Sequence, residues 1–310
     1  MRKHTCQLCC VRSACSNECT VGYKIRQLTE EEFPASLLEI PQPPKALWIA
    51  GAPLEVDTVY LTVVGSRKYT PYGKEACEAI IAGLSGYDIT IVSGLAIGMD
   101  TLAHEAAMAA GLRTIAVPGS GLDQKILYPR QNVRLAERIV EEGGTLLSEF
   151  EPDFKATLYS FPMRNRIMAG LAQATLIVEA NEKSGTLITA RLATDYNRDV
   201  LAIPGSMFSQ NAKGTNKLIA LGATPVTSPS DVLLALGFSI EDMAEKVEID
   251  LSQFPDRERA VLELLGEPMQ REMIFEQLQM SASEANVMLM KLEIGGHIVE
   301  TNEGIRRNYI

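Results

Sequence analysis

Short apolar runs alternate with amphipathic segments through the middle of the chain. The apolar runs are rich in β-branched residues and lie at 59–64, 89–92, 114–117, 145–147, 175–178 and 200–203. Between them, apolar residues recur at helical spacing over 72–84, 101–110, 129–142, 165–172 and 187–197. Near-continuous apolar strands that alternate with helices are typical of a parallel sheet covered on both faces. The pattern predicts an α/β fold, a doubly wound Rossmann-like domain, over residues 57–238.

The segments on either side of this domain have different patterns. Residues 25–56 form a proline-rich lead-in with one short strand predicted at 46–50, and residues 239–254 form a linker with acidic stretches. Residues 255–310 carry helical patterns at 256–265, 270–278 and 281–294, followed by two short runs around Gly304. Three helices and a hairpin predict a small C-terminal winged-helix domain.

The charge of the winged-helix domain argues against DNA binding by that domain. Residues 251–310 hold ten acidic and six basic side chains. The third predicted helix carries Glu284, Lys291 and Glu293 where a DNA-reading helix would need a basic face. We therefore interpret this domain as a packing or partner-binding module.

Composition narrows the class of protein. The chain of 310 residues is 46% hydrophobic and has a net charge of −10. Such an acidic chain is poorly suited to coat nucleic acid, because phosphate contacts need Lys and Arg. Residues 151–220, with eight basic and six acidic side chains, depart from that average. No run approaches the ~20 apolar residues of a membrane span, and no apolar stretch follows the charged first residues. We expect a cytoplasmic protein that does not contact a membrane.

Five of the six cysteines lie within the first 19 residues. The spacing of Cys6, Cys9, Cys15 and Cys19 would supply four thiolates to a zinc ion. Only five residues separate the two pairs, and no predicted strand or helix is present to shape a site. We interpret residues 1–24 as a cysteine-rich tail without ordered structure, and zinc binding stays the alternative.

Several predicted strands end in turns of small residues, and open α/β sheets bind their ligands at those ends. Gly65, Ser66 and Arg67 follow the first core strand, while Ser93 and Gly94 follow the second. Backbone N–H groups at such a turn favour an anion, and an arginine beside them is a candidate phosphate or base contact. These two turns are therefore candidates for ligand binding.

Residues 161–166 form the strongest candidate site, because they open a predicted helix with an unusual mixture of side chains. Phe161 can stack on a base, and Asn165 can hydrogen-bond a base edge or cap the helix. Arg164 and Arg166 can bind phosphates. A ligand that is both phosphorylated and flat fits this mixture, which indicates a nucleotide or single-stranded nucleic acid.

A third turn precedes another predicted helix and consists of Lys183, Ser184, Gly185 and Thr186. Its hydroxyls and N–H groups can hold a phosphate. Because it lacks the spacing of a Walker P-loop, ATP hydrolysis is not indicated.

Two further motifs contain carboxylates. Asp100 and His104 lie four residues apart on one helix face, and we interpret both as structural, with Asp100 capping the helix. Glu149, Glu151 and Asp153 alternate after a strand and could hold Mg²⁺ in a nuclease. No His or Lys partner accompanies them, so solvated loop carboxylates are the preferred interpretation.

Taken together, these motifs match one known family. Gly-Ser-Arg at 65–67, Ser-Gly-x-Ala-x-Gly-x-Asp at 93–100, Pro-Gly-x-Gly-Leu at 118–122, Tyr-Pro at 128–129, Phe-Pro-x-Arg-Asn-Arg-Ile at 161–167, Ser-Gly-Thr-Leu at 184–187 and Gly-Thr-Asn at 214–216 occur in that order. Over residues 33–238 the chain resembles DNA-processing protein A (DprA, also called Smf). Its last segment resembles the winged-helix domain that many members carry.

The resemblance implies a single-stranded DNA-binding protein of natural transformation. Such a protein protects incoming DNA, loads the RecA recombinase onto it, forms a homodimer, and acts without catalysis or cofactor. With the adjoining residues, the implied DNA-binding site comprises Gly65, Ser66, Arg67, Ser93, Gly94, Lys155, Phe161, Arg164, Asn165, Arg166, Lys183, Ser184, Gly185 and Thr186.

The chain departs from the family pattern in two places. Members usually begin with a helical domain, where this sequence has its cysteine-rich segment. Members also tend to carry a basic residue three positions before the Phe, where this chain has Leu158 and its nearest basic residue is Lys155.

Two enzymatic alternatives are kept beside the binding function. Residues 184–186 also resemble the lysine-decarboxylase-like class of nucleotide hydrolases, which carries a Glu three residues after the Thr. This chain has Thr189 at that position, so the carboxylate for glycosidic-bond chemistry is missing. The other alternative is the Mg²⁺-dependent nuclease built on Glu149, Glu151 and Asp153.

Overall fold

The computed structural model describes residues 22–55, 58–239, 254–265, 268–278, 281–301 and 304–307. The four cysteines of the zinc alternative, Cys6, Cys9, Cys15 and Cys19, lie outside the described residues, as does most of the predicted linker at 239–254.

The described residues form eleven strands and eleven α-helices, joined in part by short 3₁₀ turns. The strands are β1 (Ile25–Gln27), β2 (Trp48–Gly51), β3 (Val59–Val64), β4 (Ile89–Ser93), β5 (Arg113–Ala116), β6 (Thr145–Ser148), β7 (Ala174–Ile177), β8 (Asp199–Ala202), β9 (Thr224–Pro225), β10 (Ile298–Thr301) and β11 (Gly304–Arg307). The helices are α1 (Ala35–Leu38), α2 (Pro71–Ala82), α3 (Met99–Ala109), α4 (Val133–Glu141), α5 (Ser160–Leu171), α6 (Thr186–Asp195), α7 (Lys213–Ala220), α8 (Pro229–Ala235), α9 (Asp256–Leu264), α10 (Arg271–Leu278) and α11 (Ala282–Ile294).

Nine strands form one sheet in the order β1-β2-β6-β5-β4-β3-β7-β8-β9. In this order, the seven strands from β6 through β5, β4, β3, β7 and β8 to β9 are parallel. Strand β2 is antiparallel to β6, and β1 is antiparallel to β2. The predicted doubly wound α/β fold is therefore confirmed. The strand expected at 46–50 lies at Trp48–Gly51, and the segment interpreted as a lead-in contributes both antiparallel strands of the sheet.

Alternate residues of β3 face opposite sides of the sheet, as strand geometry requires. Leu61 and Val63 pack with the buried side chains of α2, α3 and α8. Tyr60 and Val64 pack with α1, α5 and α6 on the other side. This two-sided burial explains why the central strands have near-continuous apolar sequences.

The carboxyl ends of β3, β4, β5, β6, β7 and β8, with the loops that follow them, form one border of the sheet, called here the carboxyl edge. Polar contacts fix its loops to one another. The carboxylate of Glu179, just after β7, accepts hydrogen bonds from the backbone N–H of Thr70 at 2.9 Å and from its hydroxyl at 2.6 Å. Thr70 in turn caps α2 by accepting a bond from the N–H of Gly73 at 3.1 Å. The start of α2 is thereby held beside the end of β7.

Helices α9 to α11 and the β10–β11 hairpin form the winged-helix domain, which confirms the predicted fold of this segment. Val261, Leu262, Ile274, Leu289 and Ile305 belong to its own buried cluster. The interpretation of this domain as a partner-binding module stays a prediction. In the part of the chain that the structure describes, none of the helices has the length and apolar character needed to span a membrane.

Candidate nucleic-acid interface

A cleft of about 350 Å³ opens at the carboxyl edge, over the ends of β3, β4 and β5. Its floor and walls come from three separate loops and from the start of α5. The lining residues are Arg67, Gly94, Ala96, Ile97, Tyr128, Pro129, Arg130, Gln131, Phe161 and Arg164. Four residues of the predicted site, Arg67, Gly94, Phe161 and Arg164, are therefore brought together.

Two rings and one cation meet at the mouth of the cleft. The ring centroids of Tyr128 and Phe161 lie 5.7 Å apart at an angle of 55°. The guanidinium carbon of Arg67 lies 5.9 Å from the centroid of the Phe161 ring. Arg67 is exposed, Phe161 is half-buried and Tyr128 is 47% exposed. Arg67 and the two rings are therefore accessible for a ligand that combines a flat face with negative charge.

The turn that carries Arg67 is fixed by close contact with the start of α3. The N–H of Met99 donates to the carbonyl of Ser66 at 3.1 Å. Gly98 has a φ of +92°, and a Cβ there would lie 2.6 Å from the Cα of Arg67. Only glycine meets both conditions. Ser66 and the neighbouring Gly65, which packs on Met99, support the site and do not line the cleft.

Arg164 forms the buried floor of the cleft. Its Nη1 donates to the carbonyl of Val117 at 2.7 Å and lies 4.0 Å from Oδ2 of Asp100. A Cβ at Gly94 would overlap this guanidinium, so glycine is required there. The Arg164 Nε, which is buried, has no hydrogen-bond partner among the described residues. Arg164 thus supplies fixed positive charge beneath the cleft.

Asp100 does not cap α3 as the sequence suggested. Its Oδ2 accepts a hydrogen bond from the N–H of Ala96 at 3.3 Å, in the loop before the helix, and the N-terminal cap position is Gly98. Burial raises the pKa of Asp100, and the Arg164 guanidinium opposes that shift. The carboxylate was expected to satisfy the helix N-terminus, but it holds the turn after β4 in place.

His104 is a buried structural residue of α3. Its Nδ1 lies 2.7 Å from Oγ1 of Thr114, and that hydroxyl donates to the carbonyl of Ile91 at 3.0 Å. Because the Thr114 hydroxyl uses its proton in the bond to Ile91, the N–H at Nδ1 of His104 is the donor in the bond between His104 and Thr114. Burial lowers the pKa of His104 to about 3. The imidazole is consequently neutral, in keeping with a structural role.

Arg166 does not line the cleft. Its guanidinium donates to the carbonyl of Gln42 at 2.5 Å and forms a buried ion pair with Glu149. Its neighbour Asn165 is half-buried and also lies outside the lining residues. The helical period explains this: Arg164 and Arg166, two positions apart on α5, point to different sides of the helix.

The turn at residues 183–186 lies next to the cleft and is tied to the end of β3. Oγ1 of Thr186 donates to the carbonyl of Gly65 at 3.1 Å and accepts from the hydroxyl of Ser184 at 2.9 Å. Lys183 and Gly185 are exposed, and a Cβ at Gly185 would meet no atom within 4 Å. The turn therefore has open space above it but is not part of the cleft lining.

Ser93 and Lys155 differ in their exposure to solvent. Ser93 is fully buried, and its hydroxyl donates to the carbonyl of Val63 at 2.7 Å, which ties β4 to β3. Lys155 is exposed in the loop after β6, and Leu158, the position where family members tend to have a basic residue, is 92% exposed. Neither Ser93 nor Lys155 lines the cleft.

Seven basic side chains along the carboxyl edge have no acidic partner among the described residues. Most other arginines of the described chain form ion pairs, as Arg113, Arg138 and Arg198 do. The unpaired cations of the edge are Arg67, Lys68, Lys125, Arg130, Lys155, Lys183 and Lys213. Their charge is available for phosphate, although the chain as a whole is acidic.

Sequence reasoning missed Tyr128, Ile97, Arg130 and Gln131 as lining residues. The sequence presents Tyr128 only as part of a Tyr-Pro motif and predicts helix from residue 129. In the structure a 3₁₀ turn at Arg130–Asn132 precedes α4, and the peptide bond between Tyr128 and Pro129 is cis. The Pro after an exposed aromatic residue was the available signal for a loop at this position.

The structure shows where the residues of the enzymatic alternatives lie. Glu149, the first carboxylate of the nuclease hypothesis, is paired with Arg166. No group of three or more His, Cys, Asp or Glu side chains that could hold a metal ion is found among the described residues. Thr189, at the position of the hydrolase Glu, is buried in α6.

Comparison with known proteins identifies the family of this chain. The family model described as DNA recombination-mediator protein A matches residues 24–237. The chain belongs to this family. A second model, the DprA winged helix domain, matches residues 250–304.

The family includes relatives of known sequence and structure. Protein Smf from Escherichia coli is 36% identical over 284 residues, which are 89% of this chain and 75% of the relative. DNA processing protein DprA from Streptococcus pneumoniae is 41% identical over 211 residues, 68% of this chain and 73% of the relative. The superposition on the crystal structure of the pneumococcal protein covers 70% of this chain and 75% of that protein, with a TM-score of 0.63 at 38% identity. DNA processing protein A from Helicobacter pylori, known for a unique single-stranded DNA binding mode, covers 70% of this chain and 97% of its own, with a TM-score of 0.63 at 30% identity.

Proposed function

We propose that this chain binds single-stranded DNA in the cleft at the carboxyl edge. The observation that carries the proposal is the unpaired Arg67 guanidinium over the Phe161 ring, with Tyr128 exposed beside it. Bases of an unpaired strand offer their faces for stacking, and their phosphates need a cation, so both requirements are met at one place. A duplex hides its base faces and offers only the phosphates. The single-stranded DNA binding mode of the Helicobacter pylori relative supports the same assignment.

The remaining residues of the predicted site have distinct roles in this proposal. Arg164 supplies buried positive charge, and Gly94 leaves room for its guanidinium beneath the cleft. Lys155, Lys183 and the turn at 184–186 would contact phosphates of the flanking nucleotides. Gly65, Ser66 and Ser93 shape the turns, and Arg166 with Asn165 supports the position of α5.

A binding experiment tests the proposal. Fluorescence anisotropy would compare one oligonucleotide as a single strand and as a duplex, with and without Mg²⁺. We expect the single strand to bind more tightly, with an affinity that falls as salt rises. We expect both oligonucleotides to keep their length in Mg²⁺. Equal binding of the duplex, or shortening of the strand, would contradict a single-strand binder without catalysis.

We infer a wider role from membership of the family. The protein would protect incoming single-stranded DNA in the cytoplasm during natural transformation, form a homodimer, and load the RecA recombinase. Three measurements test these steps separately: digestion of bound DNA by an added nuclease, sedimentation of the free protein, and the rate of RecA filament assembly on strands that the protein covers. Unchanged digestion, a monomer at all concentrations, or an unchanged rate would each remove the corresponding step.

A further inference from the structure

A second exposed ring lies at the carboxyl edge, in the loop that follows β8. Phe208 is 85% exposed, and its neighbour Met207 is 75% exposed. No ring contact joins Phe208 to another residue in the described part of the chain. Single exposed apolar residues are common on surfaces, so the ring alone is no evidence for a site. Its position at the carboxyl edge, where the cleft also lies, makes Phe208 a candidate for ligand contact.

The loop that carries Phe208 is anchored on both sides. The side-chain amide of Asn216 accepts from the N–H of Gly205 at 3.2 Å and donates to its carbonyl at 2.9 Å. The amide of Asn211 donates to the carbonyl of Lys68 at 2.7 Å. Because Lys68 follows Arg67 directly, the Phe208 loop is braced against the same turn that forms one wall of the cleft.

The order of the strands sets the separation between Arg67, at the cleft, and the Phe208 loop. Arg67 follows β3 and Phe208 follows β8, and β7 alone lies between these strands. With neighbouring strands ~4.8 Å apart, β3 and β8 are roughly 10 Å apart. A strand of nucleic acid that leaves the cleft along the carboxyl edge therefore reaches the Phe208 loop within a few nucleotides.

The path from the cleft to the Phe208 loop carries unpaired positive charge. Lys68 follows β3, Lys183 follows β7, and Lys213 begins α7 just after the Phe208 loop. None of the three lysines forms an ion pair with a described residue, as noted above for the whole edge. Cations interleaved with exposed rings are the arrangement that binds an unpaired strand, because phosphates and bases alternate along it. This charge favours nucleic acid over an apolar protein segment as the occupant of the loop.

We propose that Phe208, with Met207 beside it, is a second base-stacking platform for the same DNA strand that occupies the cleft. This inference rests on the proposed single-strand binding function. Phe161 holds a base within the cleft, and Phe208 holds a base that has left it, with the lysines on the phosphates between them. Two separated platforms make affinity depend on the length of the strand.

The test uses the full chain and thymidine oligonucleotides of about 4 and about 16 nucleotides, the limits of typical single-strand site sizes. We expect Phe208→Ser to weaken binding of the longer strand at least about fivefold, and to leave the shorter strand unaffected. Phe208→Leu should lose as much as Phe208→Ser if the ring stacks. Phe208→Trp should retain affinity, and the emission of the new indole should be quenched by the longer strand.

Control variants separate this inference from the proposed function. Leu38→Ser removes another exposed apolar side chain, 54% exposed, from a helix that packs at the opposite end of α5, and should bind both strands as the parent does. If Phe208→Ser binds both lengths normally while Arg67→Ala loses affinity, the second platform is refuted and the cleft stands. A protein-docking role for Phe208 would give that same result. If the parent binds neither strand, both proposals fail.

Discussion

The guanidinium carbon of Arg67 lies 5.9 Å from the centroid of the Phe161 ring. A cation over an exposed ring contributes only about 0.5–1 kcal/mol, so this contact orients both groups without holding them tightly. The five N–H donors of the guanidinium lie in its plane and stay available for a phosphate. Arg67, in the loop after β3, and Phe161, at the start of α5, are 94 positions apart in the chain, and the sheet brings them together.

Replacing Arg67 tests the phosphate contact. We expect Arg67→Ala to weaken binding of single-stranded DNA about tenfold, because a charged hydrogen bond contributes about 1.5–3 kcal/mol. The slope of log affinity against log salt should decrease by about 1, since one phosphate contact is lost. Anisotropy titrations at several salt concentrations measure both quantities.

Arg191→Ala is the matched control for that variant. Arg191 is also exposed, at 84% of its side chain, but it pairs with Asp195 in α6, away from the cleft. Its loss changes the net charge by the same amount. An equal decrease in affinity for both variants would mean that net charge, and not the position of Arg67, governs binding.

Tyr128 should act as a second wall for the stacked base. It lines the cleft and its ring lies 5.7 Å from that of Phe161. We expect Tyr128→Ala to lose about 1–3 kcal/mol of binding free energy, and Tyr128→Phe to retain most of it, because stacking needs the ring and not the hydroxyl. Comparable losses for both variants would instead indicate a hydrogen bond from the hydroxyl.

Gly119 controls the position of the Phe161 ring from below. A Cβ there would lie 2.6 Å from Cδ1 and 2.8 Å from Cε1 of that ring. Because Phe161 is half-buried, the ring can move away, so Gly119→Ala should change the melting temperature little. The affinity for single-stranded DNA should fall toward that of Phe161→Ala. A variant that melts far lower but binds normally would show that Gly119 serves the fold instead.

The fold was predictable because the same pattern of apolar strands and amphipathic helices recurs along the chain. Each central strand is buried on both faces, so the runs at 59–64 and 89–92 are apolar except for Thr62 and Thr90, and the intervening helices show the 3.6-residue period. The α7 segment Lys213–Ala220 and strand β9 were not predicted. A two-residue strand has no period, and α7 carries the polar residues of a Gly-Thr-Asn motif in its first turn.

The candidate site was predictable only in part. Residues at the ends of strands share one edge, which brought Arg67, Gly94 and Phe161 together. Sequence could not show that Arg164 and Arg166 differ in role, because that depends on which side of α5 faces the sheet. The preferred interpretation of Glu149 as a solvated loop carboxylate is wrong for a similar reason: its partner Arg166 is 17 positions away, and only the structure shows the buried pair.

The pair of Arg166 and Glu149 should matter for stability more than for DNA contact. Its side chains are only 7% and 11% exposed, and removal of one partner leaves a buried charge. We expect Arg166→Ala to lower the free energy of unfolding by roughly 3–5 kcal/mol, measured by urea denaturation. The double variant Arg166→Met, Glu149→Leu should recover much of that loss, since apolar pairs often replace buried ion pairs.

The same double variant decides whether Arg166 touches DNA. If Arg166 only supports α5, the folded double variant should keep the salt dependence of the parent. A slope reduced by about 1, as for Arg67→Ala, would assign Arg166 a phosphate contact.

His104 should make the fold sensitive to acid. Burial lowers its pKa to about 3 in the folded chain, whereas an unfolded histidine has a pKa of about 6.5. Between these values the unfolded chain binds a proton that the folded chain excludes, so the free energy of unfolding falls as pH decreases, by up to about 1.4 kcal/mol per pH unit. Above about pH 6.5 the residue contributes no pH dependence. Urea denaturation at pH 7.5 and pH 5 should show a smaller difference in the free energy of unfolding for His104→Gln than for the parent. An unchanged difference in His104→Gln would contradict the assignment of the acid sensitivity to His104.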